Sequence, residues 1–167
     1  MDVAELDAMP ADACIAAMSP WFEGAPRFLR RLAAARPFGD EATLFGRAEA
    51  IALAMPEPEQ LELIDAHPRL GAPPATVSDA SFREQGYDRE TTEAVAELET
   101  LNRAYEAHFG FRFCVFVNGR PRPALVPVLR SALAADRDAE IRRALTDVIA
   151  IARDRFAREA VAAEARA

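Results

Sequence analysis

The stretch Phe111-Arg112-Phe113-Cys114-Val115-Phe116-Val117 is dense in aromatic and β-branched residues and is bounded by Asn118-Gly119. Taken alone it reads as a strand entering a hairpin turn. The segment that would pair with it, residues 120–129, carries Pro121, Pro123 and Pro127. Three missing N–H donors cannot sustain a ladder, so the strand has no partner. What remains is an extended segment buried between helices.

The rest of the chain reads as helix, punctuated by proline and glycine. Residues 11–18 form a first helix stopped by Ser19-Pro20, and residues 25–35 a second. The second ends at Arg36-Pro37 because the residue before proline avoids the helical region. Residues 40–55 follow, with Asp40 as N-cap and Leu44, Ala48, Ile51 and Met55 at helical spacing. Pro58 opens the first turn of a helix over 58–66. Residues 67–80 hold Pro68, Gly71, Pro73 and Pro74 and read as a loop, with a short helix from near Ser78 to Gly86. The clearest helix is 91–109, where Val95, Leu98, Leu101, Asn102, Tyr105 and Phe109 share a stripe and Gly110 ends it. Helices over 124–135 and 138–163 close the chain, the last presenting Ile141, Leu145, Val148, Ile149, Ala152 and Phe156. The expected fold is therefore all-α. It is a single-domain helical bundle over 1–167 with seven to eight helices and one buried extended segment.

Composition narrows the chemistry. All 20 basic residues are arginine, so Schiff-base chemistry, a pyridoxal-phosphate anchor and a P-loop lysine are excluded. The net charge of -7 argues against nucleic-acid binding. No apolar run approaches a membrane span, and the acidic N-terminus is no leader peptide. Two histidines and two isolated cysteines match no zinc spacing, so no metal is expected, and the unpaired thiols suit the cytoplasm. The glycines form neither a dinucleotide fingerprint nor a nucleophile elbow. Chemistry must run on histidine, arginine, carboxylates and hydroxyls.

Three groups stand out. His67 sits at a helix-to-loop junction beside Pro68. It either satisfies orphan carbonyls at the helix end or presents an imidazole to a cleft, where its pKa suits proton transfer near neutrality. Ser81 and Glu84 share a helix face, either as a capping box or with Glu84 as acid, base or orienter for His67 and Gln85 as amide partner. Arg153 and Arg155 flank the apolar face of the last helix, and each either ion-pairs there or clamps an anionic substrate; Arg155 is the better placed. His108 reads as a solvent-exposed helix cap, Cys14 and Cys114 as small core residues, and Arg120 and Arg122 as solvated.

These residues, in this order, resemble the family of 2-oxo-4-hydroxy-4-carboxy-5-ureidoimidazoline (OHCU) decarboxylases. The matching features are His67-Pro68-Arg69-Leu70-Gly71, Ser81-x-x-Glu84-Gln85, Leu101-Asn102-x-x-Tyr105 and Phe109-Gly110-Phe111-x-Phe113. Pro20-Trp21, Arg36-Pro37-Phe38 and Ile151-Ala152-x-x-Arg155 flank them. The resemblance implies an all-α bundle and cofactor-free decarboxylation of a small molecule to (S)-allantoin in urate breakdown, with a homodimer among the expectations. It implies catalytic roles for His67 and Glu84 and substrate contacts from Pro68, Ser81, Gln85 and Arg155. Main-chain groups of Phe113, Val115 and Val117 would add to these contacts. Arg112 stands where many members have proline, and Phe156 where leucine is more usual. Two rival readings are a catalytically silent helical binding or interaction module and, more weakly, a metal-dependent hydrolase built on His67, His108 and carboxylates.

Overall fold

A computed structural model describes residues 1–71 and 92–165. Among them are eight α-helices: α1 (Val3–Ala8), α2 (Ala11–Met18), α3 (Pro26–Ala34), α4 (Glu41–Ala54), α5 (Glu57–Ala66), α6 (Thr92–Phe109), α7 (Arg122–Ala132) and α8 (Arg137–Glu164), with a 3-10 turn over Ser19–Phe22. The expected all-α class holds. The helix expected near Ser78 lies outside the described residues.

Local chemistry sets most boundaries. The Asp40 carboxylate accepts from the Thr43 N–H at 2.7 Å, capping α4 as expected. Pro26, Pro58 and Pro123 sit in the first turns of α3, α5 and α7. Asp136 accepts from the N–H groups of Asp138 and Ala139 and starts α8. Helix α1 is an addition to the expected set. Its Asp2 and Glu5 form a reciprocal capping box, each side chain 2.8 Å from the other's backbone N–H. So short a helix also needs tertiary support. Arg36 provides it, donating to the carbonyls of Leu6 and Met9, while Asp7 accepts from the N–H groups of Phe38 and Gly39.

Residues 112–117 are extended and form no strand, and all but Arg112 and Phe116 are buried. Asn118 (φ +48°) and Gly119 (φ +69°) turn the chain, as a hairpin turn would. The chain then enters α7 instead of a returning strand, because Pro121 and Pro123 favour a helix start. Two arginines expected in solvent take part in this corner. Arg120 donates to the carbonyls of Phe116 and Val117, and Arg122 is buried at the start of α7. For Arg120, carbonyls left over by the turn supply the acceptors that an exposed position would have found in water.

Helix α8 runs through the middle, about 42 Å long at 1.5 Å per residue, and packs against α4, α5 and the 3-10 turn, while α6 pairs with α7. Its expected apolar face is buried throughout. The Phe156 ring meets Trp21 edge-on at 5.1 Å and Phe45 at 5.8 Å, joining the 3-10 turn, α4 and α8. Phe156→Ala should therefore cost about 3–5 kcal/mol, the usual range for emptying a buried aromatic site. Urea unfolding checks this, and a loss below about 1 kcal/mol would show that the junction collapses to fill the space.

Candidate active site

Pro68 forces His67 out of helical geometry, and His67 is extended (φ -75°, ψ 138°) at the end of α5. The ring turns inward and is only 4% exposed. Its Nδ1 lies 3.3 Å from the Leu63 carbonyl, one of the orphan acceptors of the helix end. A carbonyl can only accept, so Nδ1 carries the proton and Nε2 carries the lone pair. Nε2 is buried and has no hydrogen-bond partner among the described residues. Burial pulls the imidazole pKa down from 6.5 to about 4; the positive charge of Arg155 adds to this, and Glu23 and the Leu63 carbonyl oppose it. The ring is thus neutral at pH 7, further from its charge change than the sequence implied. Helix capping and cleft presentation prove to be one arrangement.

His67, Pro68 and Leu70 line a small cleft together with residues 113–119 and, from α8, Ile151, Asp154, Arg155 and Arg158. Six expected site residues meet there: His67, Pro68, Phe113, Val115, Val117 and Arg155. Ser81, Glu84 and Gln85 lie outside the described residues. Arg155 is 5% exposed, with Nη1 donating to the carbonyls of Pro20 and Trp21 and Nη2 to Glu23 at 2.9 Å. It is both ion-paired and cleft-lining. Arg153 points elsewhere, exposed over the Phe45 ring. His108 is exposed on α6 against Phe109 and does not line the cleft. Among the described residues no three His, Cys, Asp or Glu side chains gather to hold a metal ion.

Several supporting residues carried no sequence signal of their own. Glu23, in left-handed geometry (φ +52°) after Pro20-Trp21-Phe22, anchors Arg155. Asp154 and Arg158 pair beside the cleft at 2.8 Å. Cys114, expected in the core, is buried and also part of the cleft wall.

Both walls are tied from behind. The buried Asn102 of α6 donates to the Leu70 carbonyl at 2.8 Å, and Arg69 pairs with Glu106, fixing the loop after His67. Arg112 donates from its N–H to Asp65 at 2.8 Å and from its guanidinium to the Asp65 and His67 carbonyls. One turn along α6, Tyr105 donates to Glu140 at 2.8 Å. Glu140 accepts from Arg143, which also reaches Asp147 at 2.7 Å and the Cys114 carbonyl at 2.9 Å. These contacts make the LNxxY residues scaffolding for the cleft.

The model of the family named OHCU decarboxylase matches residues 7–157. The chain is 35% identical over 139 residues to the uric acid degradation bifunctional protein PucL of Bacillus subtilis, covering 81% of this chain and 28% of that protein. It therefore spans under a third of that relative. It is 27% identical to a 2-oxo-4-hydroxy-4-carboxy-5-ureidoimidazoline decarboxylase of Haloferax volcanii, covering 92% of each. A crystal structure of OHCU decarboxylase obtained in the presence of (S)-allantoin superposes with a TM-score of 0.70, over 85% of this chain and 95% of that one. At 20% identity that likeness concerns the fold. The chain belongs to the OHCU decarboxylase family.

Proposed function

We propose that this protein decarboxylates OHCU to (S)-allantoin in urate breakdown, without a cofactor, through His67 and Glu84. The observation that carries the reading is the neutral, buried His67 at the cleft wall, with Nδ1 held and Nε2 without a partner among the described residues. The substrate supplies its own electron sink. As the bond from C4 to the carboxylate breaks, its electron pair forms a double bond to the ureido-bearing carbon, and the ring nitrogen of the former C=N takes up the displaced pair and a proton. The enol then loses its hydroxyl proton and gains one at the ureido-bearing carbon. Nε2 accepts the hydroxyl proton. A ring with so low a pKa does not hold that proton and releases it again once the carbonyl has formed. Glu84 is assigned delivery of the proton to the ureido-bearing carbon, with Ser81, Gln85 and Pro68 as ligand contacts.

Arg155 binds ring or ureido oxygens. Paired with Glu23, it brings directed donors but little uncompensated charge. That matters because firm binding of the carboxylate would stabilise the ground state and slow carbon dioxide loss. The N–H and C=O groups of Phe113 and Val115 have no hydrogen-bond partner among the described residues, and with the Val117 N–H, whose own carbonyl is taken by Arg120, they offer the substrate an edge of amide donors and acceptors. The family resemblance also supports one domain over residues 1–167, cytoplasmic and paired as a homodimer; sedimentation at the mass of two chains checks the pairing.

Freshly generated OHCU, followed by circular dichroism, should yield (S)-allantoin far faster than spontaneously, with or without a chelator. His67→Ala should lower the rate by about 10²–10⁴-fold. A rate equal to the spontaneous one in the unaltered protein would favour a silent binding module, and a chelator-sensitive rate a metal-dependent enzyme. The rate should hold from neutral pH to about 5 and fall as pH passes the His67 pKa of about 4. Between the unfolded pKa of 6.5 and that value, the unfolded chain binds the extra proton. Stability should therefore drop by about 3 kcal/mol as pH falls through this window. His67→Gln should flatten that part of the urea-unfolding profile, and an equal slope in both proteins would refute the assigned burial of a neutral ring.

A further inference from the structure

Successive residues of an extended chain point their N–H and C=O groups to opposite edges. In residues 112–116 the even-numbered residues face protein partners: Arg112 binds Asp65, the Cys114 carbonyl binds Arg143, the Phe116 carbonyl binds Arg120, and the Phe116 N–H faces Asp147. All of residues 113–117 line the cleft, and of residues 112–116 only the odd-numbered Phe113 and Val115 have no bonded backbone group among the described residues. Which edge faces the cleft is thus decided by what holds the other one.

Two of the holding groups, Arg143 and Asp147, come from one stripe of α8. Arg143 and Asp147 are four residues apart, about 6 Å along a helix, and Cys114 and Phe116 are two apart, about 6.7 Å along an extended chain. The spacings nearly match, so a helix can present side chains in register with every second residue of a strand. Arg143 is fixed on its other side by Glu140, which the Tyr105 hydroxyl holds, and its guanidinium stacks 4.9 Å from the Phe113 ring. The Tyr105 hydroxyl stays protonated, since burial and the adjacent Glu140 raise its pKa.

Resting on the decarboxylase reading, we propose that Arg143 and Asp147, braced by Glu140 and Tyr105, are positioning residues. They stand in for a missing neighbouring strand and set the register in which the main chain of Phe113, Val115 and Val117 meets the ureide substrate. They do not touch substrate themselves.

The test uses Arg143→Lys, which keeps the charge but cannot reach Glu140, Asp147 and the Cys114 carbonyl together. The double variant Arg143→Met/Glu140→Gln removes the clamp and leaves Glu140 no buried charge if the single change misfolds. Both should raise KM for OHCU by about tenfold, the worth of one hydrogen bond, leave the pH profile of kcat unchanged, and shift the amide resonances of Phe113, Val115 and Val117. A lowered Tm with unchanged KM and unmoved amides would overturn the inference, leaving the cluster a purely stabilising one. If the unaltered protein does not decarboxylate OHCU, the functional reading fails. The amide shifts, with (S)-allantoin as titrant, still decide whether the clamp sets the wall.

Discussion

An extended peptide buried in a helical protein must satisfy its N–H and C=O groups without a neighbouring strand. Here the partners are side chains: Asp65 from α5, Arg120 from the following turn, and Arg143 and Asp147 from α8. The solution is one-sided. Every backbone group bonded to an α8 or α5 side chain is on one edge, and at Phe113 and Val115 the opposite edge has no bonded group among the described residues. A paired strand would have covered both edges or exposed one to water. Helix α8 also supplies the far lining, since Ile151, Asp154 and Arg158 continue the stripe that begins at Glu140 and Arg143. One face of one helix therefore positions a wall at its start and lines the site further along.

Charges around the cleft are arranged in compensated pairs. Arg155 is held by Glu23, Arg158 by Asp154 and Arg69 by Glu106. The ring among them is uncharged at neutral pH, because burial and the Arg155 charge outweigh Glu23 and the Leu63 carbonyl. An anion entering such a site meets directed donors and few free cations. For a reaction that discharges a carboxylate this balance has a direction: binding that depended on strong attraction to the leaving group would deepen the ground state more than the transition state.

Features governed by local chemistry were legible in the sequence. Proline and glycine marked the ends of α2 to α6, the Asp40 cap started α4, and the apolar stripe of α8 ran as its spacing required. The partnerless strand and its turn at Asn118-Gly119 were readable because three prolines forbade a hairpin. Features that depend on pairing across the fold were not. Glu140, Arg143 and Asp147 resemble ordinary charged positions on a surface helix, and only the arrival of Tyr105 and Cys114 gives them buried roles. Glu23 and Arg122 were silent for the same reason. Arg112 is a different case: where many family members have proline, this chain gains an N–H that Asp65 accepts. Ser81, Glu84 and Gln85 are known here from sequence alone.

Asn102 and Tyr105 show why a spacing can matter as much as the residues themselves. They lie three apart on α6, on one face and about 4.5 Å along its axis. Asn102 holds the loop that follows His67, and Tyr105 holds the Glu140–Arg143 clamp behind the extended segment. The histidine wall and the backbone wall are thus referred to the same helical turn. A helix is stiff along its axis, so the separation of the two walls is inherited from α6. Losing the Asn102 amide or the Tyr105 hydroxyl would free one wall relative to the other while leaving the hydrophobic core of α6, Leu98, Phe109 and the Tyr105 ring, in place. Neither residue reaches the cleft, and their part in the site is to fix its width.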